Sequence, residues 1–127
     1  VAEGIALHNR WQLQAIRRKV DARGPLRFVG GGARSRSMAR IMADTLGEVV
    51  ETVANPQNSG ALGAALLCAK GLGLIDSLGQ ARRIVRPLET YEPRRELAGL
   101  YDERFEVFKR LYARNKPIFK AMNAVGG

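Results

Sequence analysis

The sequence predicts an α/β fold in which short strands are flanked by helices and a long helix closes the chain. Three patterns carry that prediction. An amphipathic helical stretch leads into a short apolar run that ends in three glycines. A second helical stretch is followed by a run rich in valine and threonine. From about residue 95 to residue 122, apolar residues recur at three- and four-residue steps. The chain has 127 residues, of which 46% are apolar, enough for one domain with a single core.

Residues 2–20 place Ala2, Ile5, Leu13, Ile16 and Val20 at helical spacing, with the arginines and Lys19 largely on other faces. The run DARGP at 21–25 stops this helix, since Pro25 disfavours a helical Gly24. Residues 26–29 are apolar and bounded by turn residues, as a buried strand would be. After the glycines, Met38, Ile41, Met42, Thr45 and Leu46 form one face of a second helix, with Ser35 or Ser37 as its cap and Gly47 as its stop. Residues 48–53 read as a second strand and ANPQNSG as a loop.

Residues 59–69 are helical in pattern and lined with small side chains, which would let another backbone or a ligand come close. Two glycines in KGLGLI end that stretch. A short helix is expected at 77–83 and an extended segment at 84–93, where Pro87 and Pro93 exclude a continuous helix and Tyr91-Glu92-Pro93 fixes a turn. The last helix is expected to bend or restart at Pro117, and Gly126-Gly127 to fray. There is no internal repeat and no low-complexity tract.

The net charge of +9 raises nucleic acid as a partner. The cations are spread along the chain, from Arg10, Arg17, Arg18 and Lys19 through Arg82, Arg83 and Arg86 to Lys109, Arg110, Arg114, Lys116 and Lys120. No RNP-like aromatic motif, zinc-ligand spacing or helix-turn-helix accompanies them, so specific nucleic-acid binding is not expected. The one cysteine, Cys68, cannot form an internal disulfide and lies in an alanine-rich run, so a buried reduced thiol and a cytoplasmic location are expected. No signal-peptide pattern and no apolar run near the ~20 residues of a membrane span occur, so no membrane partner is expected. The opening at Val1, already inside a helical pattern, reads as a piece of a longer polypeptide.

The glycines of RFVGGGARSRS set the functional question. A strand that ends in glycines and reopens as a helix offers backbone N–H groups and a positive dipole end to an anion, usually phosphate. The lysine-serine pair of a P-loop is absent. A dinucleotide fingerprint would put Ser35 where its third glycine belongs. A tight turn or a close strand-helix contact is the plain alternative.

Taken together, Gly30-Gly31-Gly32-Ala33, the pair Ala43-Asp44, the run Gly60-Ala61-Leu62-Gly63-Ala64-Ala65 and the trailing YEPRRELAGLYDERFEVFKRLYARNKPIF resemble, in order and spacing, the C-terminal domain of the FGGY family of carbohydrate kinases, most of all its xylulokinase-like members. The resemblance covers essentially the whole chain. It implies part of an actin-like ATPase (ribonuclease H-like) domain, with residues 1–127 a single partial domain that lacks its N-terminal companion. It implies ATP and Mg²⁺ as cofactors, the metal held mainly elsewhere, and phosphorylation of a pentulose such as xylulose or a related polyol. Gly30, Gly31, Gly32 and Ala33 would lie beside the α-phosphate and ribose, and Arg36 and Ser37 beside the adenine.

The resemblance places the catalytic aspartate and the sugar-binding residues upstream, so no catalytic and no metal-binding residue is assigned here and the chain alone is expected to be inactive. Asp44 reads as a structural or solvated carboxylate, His8 and Trp11 as packing residues, and Ser35, Ser37 and Ser59 lack a base partner beyond His8. The small face of residues 60–64 is expected to pack under the nucleotide turn. Two other readings stand beside this one: a basic module that binds nucleic acid or another polyanion, and a packing or homodimerisation domain with an empty turn.

Overall fold

A computed structural model describes residues 1–21, 23–80 and 84–124. Its elements run α1 (Ala2–Arg17), β1 (Leu26–Phe28), α2 (Arg36–Leu46), β2 (Val50–Val53), α3 (Ser59–Gly71), β3 (Pro87–Tyr91) and α4 (Ala98–Asn123), with short 3-10 turns at Gly31–Arg34, Pro56–Asn58, Leu78–Gln80 and Arg95–Leu97. The three strands form one sheet in the order β1-β2-β3. β1 is parallel to β2, with Leu26 opposite Val50 and Phe28 opposite Thr52. β3 is antiparallel to β2, with Tyr91 opposite Val50 and Glu89 opposite Thr52. The expected α/β order with a long closing helix is what the chain adopts. Of the short helix expected at 77–83, Leu78–Gln80 form a 3-10 turn, and residues 81–83, with Arg82 and Arg83, lie outside the described residues, as do Gly126 and Gly127.

The core lies where α1 crosses α2 over one face of the sheet. Ala6, Ala39, Met42, Ala43, Val50 and Tyr91 are buried there, with Phe28, Met38, Ile41 and Leu46 packed around them. Ala6, Ala39 and Ala43 are fully buried, because only a methyl group fits where two helix backbones come close. This corrects the predicted face of α1. Ile5, Ile16 and Val20 are exposed, Val20 lies beyond the helix end, and the buried pair is Ala6 and Leu7. Helical spacing shows which residues share a stripe, but the side the neighbour takes is set by tertiary contact.

α2 is the best-specified element. The Ser35 hydroxyl accepts the Met38 N–H at 3.2 Å as the N-cap, and Gly47, in a left-handed conformation, donates its N–H to the Ala43 carbonyl. Asp44 in its last turn is buried. Its carboxylate accepts the Arg94 backbone N–H at 2.9 Å and the Arg94 guanidinium at 2.7 and 3.1 Å. The ion pair raises the Arg94 pKa above its ordinary value, the hydrogen bond to Asp44 being the largest cause. One turn earlier Arg40 donates to the Glu92 carbonyl at 2.7 Å and lies over the Tyr91 ring. Two side chains of α2 thus fasten the segment that follows β3.

α4 packs on α1 through Tyr101 and Phe105, which are buried. Trp11 meets the edges of Phe108 and Tyr112 at 6.3 and 5.2 Å, and Arg10 lies over Phe105 while pairing with Asp102. The helix continues through Pro117 as one element, so of the expected bend or restart the restart does not occur. Two further expectations fail at α3. Cys68 is exposed, and no residue of the helix is buried. A Cβ added at Gly60 or Gly63 would meet nothing within 4 Å, so the small face is not packed beneath the glycine turn.

Two stability predictions follow from these contacts. Asp44→Asn should cost about 1.5–3 kcal/mol, the range for hydrogen bonds to a charged group, read as a lower urea midpoint at unchanged slope. The second concerns β3, where the Tyr91 hydroxyl donates to the Glu89 carboxylate. That bond is the largest cause of a lowered Glu89 pKa and of a raised Tyr91 pKa; burial opposes the first shift and adds to the second, and Arg36 further lowers Glu89. A lowered carboxyl stabilises above its ordinary range and loses that contribution as pH falls through its folded value. A raised phenol stabilises below its ordinary range and loses that contribution as pH rises through its folded value. Tyr91→Phe should therefore lower the urea midpoint most at neutral pH, with the difference from the parent chain shrinking toward both extremes.

Candidate functional site

The glycine turn sits where β1 ends and α2 begins. Gly30 has φ 89° and ψ −178°, a region open essentially to glycine alone. Its N–H donates to the Pro56 carbonyl at 2.7 Å and its own carbonyl accepts the Ala33 N–H at 3.1 Å. The 3-10 turn Gly31–Arg34 follows, with Ala33 buried, and the Ser35 N–H returns to the Gly32 carbonyl. A Cβ on Gly32 would lie 3.2 Å from Cζ of Phe28, whereas a Cβ on Gly31 would meet nothing within 4 Å. The three glycines therefore do not share one cause. Gly30 answers to backbone conformation and Gly32 to the Phe28 ring. Gly31 is exposed and meets neither constraint among the described residues.

Beside this turn lies a second one. Asn55 adopts a left-handed conformation with φ 49°, the Asn58 N–H returns to its carbonyl, and the Ser59 hydroxyl donates to the Pro56 carbonyl at 2.8 Å. The Pro56 carbonyl thus receives both the Gly30 amide and the Ser59 hydroxyl. Sequence reasoning treated ANPQNSG as a plain loop. The usable signal was asparagine before proline, since asparagine tolerates the left-handed region better than most residues.

The remaining site candidates lie on the same rim. Arg36 is the first residue of α2, and its Nη2 donates to Oε1 of Glu89 at 2.6 Å. Ser37 is exposed one residue further on. Ala33, buried at the turn's centre, is the one member of the predicted set that faces inward. Glu89, on β3, was missed, because nothing in a single sequence announces a pairing across 53 residues. Asp44 is engaged by Arg94, which makes it structural. Among the described residues no group of three or more His, Cys, Asp or Glu side chains comes together as metal ligands. His8 lies 3.0 Å from the Gln12 amide on the exposed side of α1.

The turn has the form of an anion cradle. It follows the end of a parallel strand, opens a helix whose dipole is positive there, and leaves one glycine bare toward solvent. The family model for the C-terminal domain of the FGGY family of carbohydrate kinases matches residues 1–72, which include both turns and α3. The xylulose kinase of Staphylococcus epidermidis is 26% identical over 119 residues, 93% of this chain and 24% of that protein. That of Bacillus subtilis is 26% identical over 125 residues, 98% of this chain and 25% of that protein. The crystal structure of xylulose kinase from Rhodospirillum rubrum covers 94% of this chain with a TM-score of 0.75 and 35% identity, and this chain covers 24% of it.

The chain thus spans about a quarter of the length of these relatives. Its fold is that of the FGGY kinases, the actin-like ATPase fold expected from the motifs. With more than half of its residues matched by that domain's model, the chain belongs to the FGGY family of carbohydrate kinases.

Proposed function

We propose that this chain is the nucleotide-binding part of the C-terminal domain of an ATP-dependent carbohydrate kinase whose substrate is a pentulose such as xylulose or a related polyol. The observation that carries the reading is Gly31, a bare, exposed glycine at the turn, where among the described residues nothing lies within 4 Å of an added Cβ. A ribose and α-phosphate resting on the backbone at Gly30–Gly32 would fill that space. Arg36 and Ser37, at the start of α2, would then edge the adenine, and the buried Ala33 would fix the height of the turn beneath it. The relatives' names, xylulose kinase in each case cited, support the sugar class.

Phosphoryl transfer to a sugar hydroxyl depends on orientation and charge stabilisation, with a base near the hydroxyl and Mg²⁺ on the phosphates. In this reading the chain contributes orientation of the nucleotide. Mg²⁺, the base and the sugar contacts belong to companion parts of a longer enzyme, the missing N-terminal kinase domain above all. No sugar-dependent ATP turnover is therefore expected of the 127-residue chain alone, and its detection in pure protein would refute this division of labour. The family match does not favour the basic-module reading.

An amide NMR titration with ADP should give saturable shifts at Gly30–Gly32 at about millimolar concentration, or ~4 kcal/mol, as one wall of a cleft would. The glycines separate structure from binding. Gly30→Ala should destabilise the chain by about 1–3 kcal/mol, because its backbone region is closed to alanine. Gly31→Ala should leave stability unchanged or raise it by about 0.4–1 kcal/mol while weakening ADP by an order of magnitude. ADP binding that is indifferent to Gly31→Ala would refute the assignment of the turn.

A further inference from the structure

The closing helix α4 has one apolar edge covered and one bare. Phe108 and Tyr112 meet Trp11 of α1, and Phe119 lies 6.2 Å from Tyr112, so the first edge is occupied. On the second, Leu100, Val107, Leu111, Ile118 and Met122 recur at seven- and four-residue steps, which align them in one strip. These five side chains are 42–70% exposed. Toward its N-terminal end the strip borders a groove of about 530 Å³ between α1 and α4, lined by Gly4, Leu7, Leu100 and Val107 among others. An apolar strip of this length, rimmed by charges, has the form of a protein contact.

The charges decide what kind of partner it fits. Residues 98–106 carry Asp102, Glu103 and Glu106 beside Arg104, whereas residues 107–124 carry Lys109, Arg110, Arg114, Lys116 and Lys120 and no carboxylate. Arg10 holds Asp102, Glu3 holds Arg104, and Lys109 holds Glu106. Among the described residues Glu103, Arg110 and Arg114 have no ion-pair partner. These three repeat the seven- and four-residue steps of the strip, which sets them along its flank, on the side away from Trp11.

A helix with a free carboxylate near its start and free arginines further along complements its own reverse. Laid antiparallel about a two-fold axis level with Lys109, two copies put Leu100 opposite Ile118 and Val107 opposite Leu111. The same register brings Glu103 of each copy beside Arg114 of the other, because like flanks meet in an antiparallel pair. Residues 98–120 then overlap over roughly 34 Å. A parallel pair would instead set the cationic halves against each other.

We propose that two copies of this chain pair through α4 in this antiparallel register, with Ile118 of each copy entering the α1–α4 groove of the other beside Leu100. The pairing takes no residue from the glycine turn, so it stands or falls apart from the nucleotide reading.

Sedimentation equilibrium of the 127-residue chain tests it. A contact made mainly by one helix is small, so the apparent mass should rise from 13.9 kDa toward twice that value across about 10 μM to 1 mM. Glu103→Arg and Arg114→Glu should each weaken association about tenfold, since each sets like charges face to face. The double variant, Glu103→Arg with Arg114→Glu, should restore it. Ile118→Asp should leave a monomer. All of these side chains are exposed, so the urea midpoints should match that of the parent. A dimer that neither single reversal weakens, or that the double variant fails to restore, has its contact elsewhere and overturns the proposal. A chain that stays monomeric across the range overturns it too and leaves the strip to companion parts of a longer enzyme; one that stays monomeric and binds a DNA duplex gives the cations to a polyanion instead.

Discussion

The hydrogen bond from the Gly30 amide to the Pro56 carbonyl ties together the two turns that follow the parallel strands β1 and β2. It requires Gly30 to adopt a backbone conformation that a side chain would forbid, and it requires Asn55 to turn the chain so that the Pro56 carbonyl points back. Because parallel strands end on the same side of a sheet, their following turns are brought to one place. The bond converts that proximity into a fixed shape. The 3-10 turn, the buried Ala33 and the Ser35 cap then lead into α2 without a free joint.

α2 carries this geometry to the rest of the molecule. Its buried alanines admit α1, and its Asp44 and Arg40 hold the segment after β3 by contacts that bridge about fifty residues. These contacts fix where β3 lies relative to the start of α2, so that Glu89 stands opposite Arg36. A buried carboxylate would be a liability if it were alone, since desolvation disfavours its charge. Three hydrogen bonds from Arg94 offset that cost and give the pairing its direction.

Local signals in the sequence were read well where local physics decides. The strand-glycine-helix order, the Ser35 cap and the Gly47 stop depend on a few neighbouring residues, whereas at the turn expected for Tyr91-Glu92-Pro93 β3 simply ends at Tyr91 and irregular backbone follows. The motif order was also legible, and the family match bears it out. What was not legible depends on distant partners. Ala6 is core because α2 crosses there, Glu89 belongs to the rim because β3 folds back antiparallel, and Cys68 is exposed because α3 is not covered. The three glycines looked equivalent as letters, but only geometry separates one required by its own backbone, one by an aromatic ring and one by neither.

α3 shows how openness bears on the site. It is apolar and yet has no buried residue, because a groove of about 340 Å³, lined by Val29, Val53, Leu62 and Leu66 among others, separates it from the sheet face that carries the Arg27–Glu51 pair. The rim at Arg36 is equally open. In water the attraction between two unit charges 4 Å apart is about 1 kcal/mol, and it rises several-fold at the effective dielectric of a protein surface cleft. A donor and an acceptor on one open wall can therefore discriminate only modestly between groups that approach from solvent. The same two groups facing an opposing wall would act across a drier gap and discriminate more sharply without moving. Selectivity at such a site is set in kind by the residues of one wall and in degree by the water that the second wall removes.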